Sequence, residues 1–223
     1  GSIAAGSFEG NPIVNGGNFA ALCTSANEQR HRAIGSISYR LNYGGKLGGS
    51  TQFGLFYEAR NQGNYSLRYG GDMNGDGINN NDLIFVPNRA SDLRFVQFTA
   101  GGQTFSPEQQ ATAFEAYINQ NDYLKSIRGG YFERNGGISP WRHTFDFSIV
   151  QEFYVMVGGK RNTFQFRADI LRFGNVINPS WGIGDNLVNS FPLASAGVAS
   201  DGTPQVRIAT QNKKGKTLFF LKT

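Results

Sequence analysis

The chain has 223 residues, with 21 Lys+Arg against 16 Asp+Glu (net charge +5), 13% aromatics, only 17% charged residues and 30 Gly. So many aromatics at so little charge exclude a disordered chain, and no stretch of about 18 apolar residues exists to make a transmembrane helix. Cys23 is the single cysteine, which excludes an internal disulfide and a cysteine-based metal site, and no nucleic-acid recognition motif accompanies the basic surplus.

Mean hydropathy is −0.36. Membrane β-strands are compatible with that value, because their alternating faces average to mild polarity.

Residues 1–30 are rich in Gly, Asn, Ser and Ala and read as a loop. From about 31 the pattern changes. Ile37, Tyr39, Leu41 and Tyr43 alternate with Ser36, Ser38, Arg40 and Asn42, and after a Gly-rich turn Phe53, Leu55 and Tyr57 alternate with Gln52, Gly54, Glu58 and Arg60. Period two over this length predicts strands, so 31–62 reads as a β-hairpin.

A long excursion follows, over 63–138. It carries Asp72, Asn74 and Asp76, then Gly77, Ile78 and Asp82. Oxygen ligands at positions one, three and five, Gly at six and a backbone carbonyl at seven fit a Ca²⁺ loop, here closed by Asp82 at eleven rather than by Glu at twelve. The alternative is a self-capping Asn/Asp/Gly turn cluster. Further on, Ser106-Pro107-Glu108-Gln109 is a capping box with Pro at the first helical position. Ala111, Phe114, Tyr117 and Ile118 continue it as an amphipathic helix over 107–120, extending toward 126, whose apolar stripe packs on neighbouring loops or docks a partner.

A second hairpin is predicted over 139–175. Trp141, Phe145, Phe147, Ile149, Phe153 and Val155 share one face, with Arg142, Thr144, Asp146, Ser148 and Glu152 on the other; Phe164, Phe166, Ala168 and Ile170 then alternate with Thr163, Gln165, Arg167 and Asp169. If Val157 and Asn162 flank a four-residue turn, all the apolar positions share one face of a sheet. In that register Glu152 lies opposite Arg167 as an ion pair worth roughly 0–1 kcal/mol. Residues 176–203 read as a second long loop, and 204–223 as a partial hairpin turning at Asn212–Gly215.

Short turns on one side and long loops on the other predict an all-β fold: an antiparallel transmembrane β-barrel segment, with the long loops outside the cell. Tyr39, Tyr43, Tyr57 and Trp141 would lie near strand ends, where interfacial aromatics sit. The competing reading is a soluble β-sandwich, whose strands also alternate. Alternation lasting from about 141 to 155 favours the barrel, since soluble strands average about 5–6 residues.

Several stretches together resemble the C-terminal barrel region of TonB-dependent outer-membrane receptors, in particular the Oar-like group of Bacteroidetes. They are Arg30-His31-Arg32 with Ile37–Tyr43, Phe53–Tyr57, Tyr65–Gly77, Asn81–Pro87, Arg134-Asn135-Gly136 before Pro140-Trp141, and Phe166–Asn178 with Trp181-Gly182. The resemblance implies a barrel of about 22 strands, of which this chain supplies about six. It further implies an N-terminal plug, a TonB complex that supplies energy, outer-membrane lipid around the wall, and import of a nutrient the sequence does not name. It also implies one more strand beyond Thr223. Arg40, Glu58, Arg142, Asp146, Glu152, Arg167 and Asp169 would face the lumen and the plug.

No enzyme is expected. His31 and His143 have no nucleophile motif beside them, and no HExxH, GxSxG or P-loop occurs. Asp146, Glu152 and Asp169 could be arranged as a glycosidase pair, but a charged lumen accounts for them more simply. Three functions are therefore in play: importer wall, outer-membrane barrel for adhesion or surface-complex assembly, and soluble Ca²⁺-stiffened sandwich binding glycans.

Overall fold

The computed structural model describes residues 10–17, 21–44, 47–179, 181–182, 187, 189–213 and 216–219. In chain order the elements are β1 (Arg32–Tyr43), β2 (Leu47–Asn61), β3 (Asn64–Tyr65), β4 (Tyr69–Gly70), β5 (Phe85–Val86), β6 (Phe98–Ala100) and β7 (Gln103–Phe105). Helices α1 (Pro107–Gln120) and α2 (Asp122–Ser126) come next, then β8 (Gly130–Tyr131), β9 (Gly137–Ile138), β10 (Trp141–Val157) and β11 (Lys160–Ile170). After α3 (Gly174–Ile177) come β12 (Leu193–Val198), β13 (Pro204–Ile208), β14 (Thr210–Lys213) and β15 (Lys216–Phe219). The fold is all-β with antiparallel sheets and few helices. The chain divides into two compact units, one built from Gln29–Gly63 and Ser139–Asp185, the other from Gly1–Glu28, Asn64–Ile138 and Asn186–Thr223.

The first unit is one antiparallel sheet in the order β1-β2-β10-β11. Its registers put Ile37, Leu55, Phe147 and Ile170 in one row across the strands, and Tyr39, Phe53, Ile149 and Ala168 in the next. Because strand side chains alternate, all the aromatic positions expected on one face share it. The sheet is open: β1 and β11 are edges, and no closed barrel forms among the described residues.

The β10–β11 turn corrects the expected register. Val157 faces Lys160 across a two-residue turn, Gly158-Gly159, with φ of +59° and +77°. Two positive-φ residues match the right-handed twist of the flanking strands, which a wider turn does not need. The ladder therefore shifts by two residues, which keeps the faces and changes the partners. Glu152 faces Gln165 and Arg167 faces Val150, so the expected Glu152–Arg167 pair does not form. Glu152 instead binds Arg161 at 2.6 Å, with Arg40 at 3.7 Å, and Arg167 binds Asp169 at 2.9 Å.

The second unit replaces what reads as loop with a packed layer. Phe114 and Ile118 of α1 are fully buried among Leu67, Ile84, Val86, Phe132, Val206 and Ile208. The stripe thus packs within its own unit. Ser106 Oγ accepts from Gln109 N at 3.3 Å and Gln109 Oε1 from Ser106 N at 3.0 Å, completing the expected capping box. The helix does not run on to 126. Asn121 breaks it, and its Oδ1 accepts from Tyr123 N and Leu124 N to start α2.

Residues 204–211 also differ from expectation. Instead of forming one hairpin with 216–222, β13 pairs with β12, which in turn pairs in parallel with β4. Val206 and Ile208 are buried, so their alternation serves the core of this unit. Only β14 pairs with β15; the expected positions 220–222 lie outside the described residues.

Candidate functional site

The four-stranded sheet presents one largely apolar face and one mixed face, on which Phe56, Val150, Tyr154 and Met156 sit among the charges. On the apolar one, Ile37, Tyr39, Phe164 and Phe166 are 62–69% exposed. Ile37 and Tyr39 lie on edge strand β1 and Phe164 and Phe166 on the opposite edge strand β11, with the partly exposed Phe53, Leu55 and Ile149 of the central strands between them. Phe145 and Phe147 are half-buried, because the segment after β11 folds back on them: Trp181 lies 5.4 Å from Phe145 and Phe173 lies 5.2 Å from Phe147. Gly174 makes that approach feasible, since a Cβ there would sit 3.1 Å from the Phe145 ring.

At the long-loop end of this face, aromatic and histidine rings form a connected row. His31 stacks on Trp141 at 6.0 Å, Trp141 on His143 at 6.5 Å, and His143 on Tyr57 at 6.0 Å. Tyr57 Oη is also 2.8 Å from His143 Nδ1. Both histidines are thus engaged with aromatic neighbours.

The opposite face carries all seven charged positions singled out from the sequence: Arg40, Glu58, Arg142, Asp146, Glu152, Arg167 and Asp169. Beyond the pairs already given, Arg32 binds Glu58 at 2.8 Å, and an oxygen of Asp146 accepts from Arg172 N at 2.8 Å. These contacts are partly solvated, so each is worth little alone. Gly54 faces Ser148 across the β2–β10 ladder, with Ser38 on the other side. A trough of about 700 Å³ lies beside Gly54, lined by Ser38, Gln52, Ser148, Arg167 and Asp169 together with Phe56 and Val150.

The Asp/Asn loop lies in the other unit and is tightly wound. Asp72 Oδ1 accepts from Gly75 N at 2.7 Å and its Oδ2 from Gly77 N at 2.9 Å. Asn74 Oδ1 accepts from Asp76 N, and Asp76 Oδ1 from Ile78 N. Gly75 and Gly77, at φ +77° and +86°, supply the left-handed backbone this winding needs. Asp82 reaches back from the far end, with Oδ2 accepting from Met73 N at 2.6 Å and Asn74 N at 3.2 Å. It is 2% exposed, and its Oδ1 is buried with no hydrogen-bond partner. Burial raises the Asp82 carboxyl above the usual carboxylate range, the charges of Asp76 and Asp72 add to this, and the two backbone N–H groups oppose it. Among the described residues no three His, Cys, Asp or Glu side chains gather as a metal cluster.

Gln110 is a structural residue that sequence periodicity did not single out. It is fully buried; its Nε2 donates to Val96 O at 2.8 Å and its Oε1 accepts from Ile208 N at 3.1 Å. The available signal was its place in line with Phe114 and Ile118 on the apolar stripe. Tyr69 is similar: buried, its hydroxyl accepts from Phe85 N, and burial pushes its pKa up to about 12.

No family model, no curated protein and no solved structure matches the chain.

Proposed function

We propose that β1, β2, β10 and β11 are consecutive wall strands of a bacterial outer-membrane β-barrel. The observation that carries this reading is the sheet itself: strands of 12, 15, 17 and 11 residues with one largely apolar, aromatic face and one face that carries the charges. A tilted membrane strand needs about 9–11 residues, and every one of the four meets that length. Lipid would cover the aromatic face where Phe173 and Trp181 do not, and water the face that carries the charges. The connected row of His31, Trp141, His143 and Tyr57 suits an interfacial girdle, where aromatic rings with polar edges settle. Two free edges in hydrocarbon would leave a ladder of backbone groups unsatisfied, so further strands must close the wall.

Within that class we favour the C-terminal barrel part of a TonB-dependent importer, on the strength of the Oar-like resemblance. Its partners would be the remainder of the barrel, the plug and the TonB complex, and its cargo a nutrient. The trough beside Gly54, of mixed polar and apolar lining, and the paired charges around it suit a surface packed against a plug. A second reading, a barrel used for adhesion or surface-complex assembly, draws on the other unit, which has its own hydrophobic core and could serve as a working surface. Glycan binding by a soluble sandwich would require a second layer over Ile37, Tyr39, Phe164 and Phe166.

The deciding experiment is fractionation of the full chain in its native cell. The membrane reading expects it in the outer-membrane fraction, released by detergent and not by high salt or alkali. Recovery as a soluble monomer without detergent overturns it. Growth on defined nutrients with and without TonB then separates importer from adhesin.

A further inference from the structure

We propose that the loop from Asp72 to Asp82 binds one hard divalent cation, with Ca²⁺ preferred over Mg²⁺, through Asp72, Asn74, Asp76, the Ile78 carbonyl and Asp82. This does not rest on the membrane reading. The ligand spacing alone would leave it a turn cluster. What points to a ligand is Asp82, which is 2% exposed and anchored by Oδ2 on the N–H groups of the loop's second and third residues, while its Oδ1 has no partner of any kind. A buried carboxylate oxygen without a donor is costly, and more so beside two further carboxylates, unless a proton or a cation compensates it.

Asn81, next in the chain, is 1% exposed, and both atoms of its amide are also buried without a partner. The loop side chains are already oriented: Asp72 accepts a backbone N–H on each oxygen, Asn74 accepts one on Oδ1, and Asp76 accepts Ile78 N on Oδ1 and Asn74 Nδ2 on Oδ2 at 3.3 Å, so each oxygen keeps one further lone pair. The three carboxylates do not gather as a cluster by themselves, as like charges should not. Gly75 and Gly77 already hold the loop in its wound conformation. Three carboxylates, an amide and a carbonyl form an irregular all-oxygen set, which suits the 6–8 flexible ligands of Ca²⁺ better than the strict octahedron of Mg²⁺.

The test is calorimetric titration of the EDTA-stripped full chain with CaCl₂ and, separately, MgCl₂, alongside thermal unfolding. One Ca²⁺ per chain is expected, with Kd on the order of 10⁻⁴ M or tighter and a higher unfolding midpoint. Mg²⁺ should bind more weakly. Asp76→Asn, at an exposed position, should weaken Ca²⁺ binding by roughly tenfold or more, since affinity follows ligand charge. Asp82→Asn should abolish it, and Asn79→Ala, outside the ligand pattern, should not change it. No Ca²⁺-dependent heat or midpoint shift in the wild-type chain overturns the proposal, as does unchanged affinity in Asp76→Asn. Because Asp76 is exposed, that variant decides the matter even if Asp82→Asn fails to fold. A chain that fractionates with the membrane but ignores Ca²⁺ sinks only this inference; a soluble chain that binds Ca²⁺ sinks only the barrel.

Discussion

Gln110 shows how one polar side chain can hold a core together. Its amide joins Val96, on the approach to β6, to Ile208 of β13 through the fully buried side of α1. Replacing it by Ala would take the partner from the part-buried Val96 carbonyl and the buried Ile208 N–H, at about 1–3 kcal/mol for each group left unpaired. Gln110→Ala should therefore lower stability by about 2–4 kcal/mol in urea unfolding, comparable to Phe114→Ala at about 3–5 kcal/mol. Glu115, one turn further on, contributes through charge. Arg128 at 2.5 Å and the Ala90 N–H at 2.9 Å hold its carboxyl below the usual carboxylate range. A depressed folded value means that the stabilisation is present above the unfolded pKa and is lost as pH falls through the folded one. The wild type should thus lose its advantage over Glu115→Gln on acidification below about pH 4.3. If the gap between the two midpoints does not narrow there, the pair contributes nothing.

At the scale of elements, the Gly158-Gly159 turn sets which residues meet. With both residues at positive φ, a Gly158→Val, Gly159→Val double variant forces left-handed backbone on β-branched side chains, at about 1–2 kcal/mol per residue. A double-mutant cycle checks the register this turn imposes: Glu152 should couple to Arg161 by up to about 1 kcal/mol and to Arg167 not at all. The faces of these strands were legible in the sequence because period two survives any even shift in register; the partners were not, because only turn geometry fixes them. Likewise the box at Ser106 announced α1, while its break at Asn121 depended on an amide choosing a cap over helix. The fate of 204–208 was hidden for another reason. Val206 and Ile208 alternate as well for a buried unit as for a membrane wall, and only long-range pairing with Leu193 and Ser195 decides between them. At the Asp/Asn loop the ligand spacing was plain in the sequence, whereas the unpartnered Asp82 oxygen is a product of burial.

For the molecule as a whole, the membrane reading makes a demand that no water-soluble sheet meets. Its aromatic rows must be shielded by lipid, while the rows between them stay wet. With Cys23 replaced by Ser, single cysteines placed in turn at Ile37, Ser38, Tyr39 and Arg40 on β1 would sample both faces of one edge strand, and Ile149, Val150, Gln151 and Glu152 would sample a central one. In lipid vesicles a membrane-impermeant thiol reagent should modify positions 38, 40, 150 and 152 and spare 37, 39, 149 and 151, a period of two along each strand. Spin-labelled lipid should quench a fluorophore at 37, 39 or 149 and leave one at 38 or 150 bright. A sandwich core would also protect the odd positions, but it would do so without lipid and without quenching. Protection that persists in plain buffer would therefore refute the wall, whereas protection that appears with lipid and alternates residue by residue would establish which side of the sheet meets the bilayer.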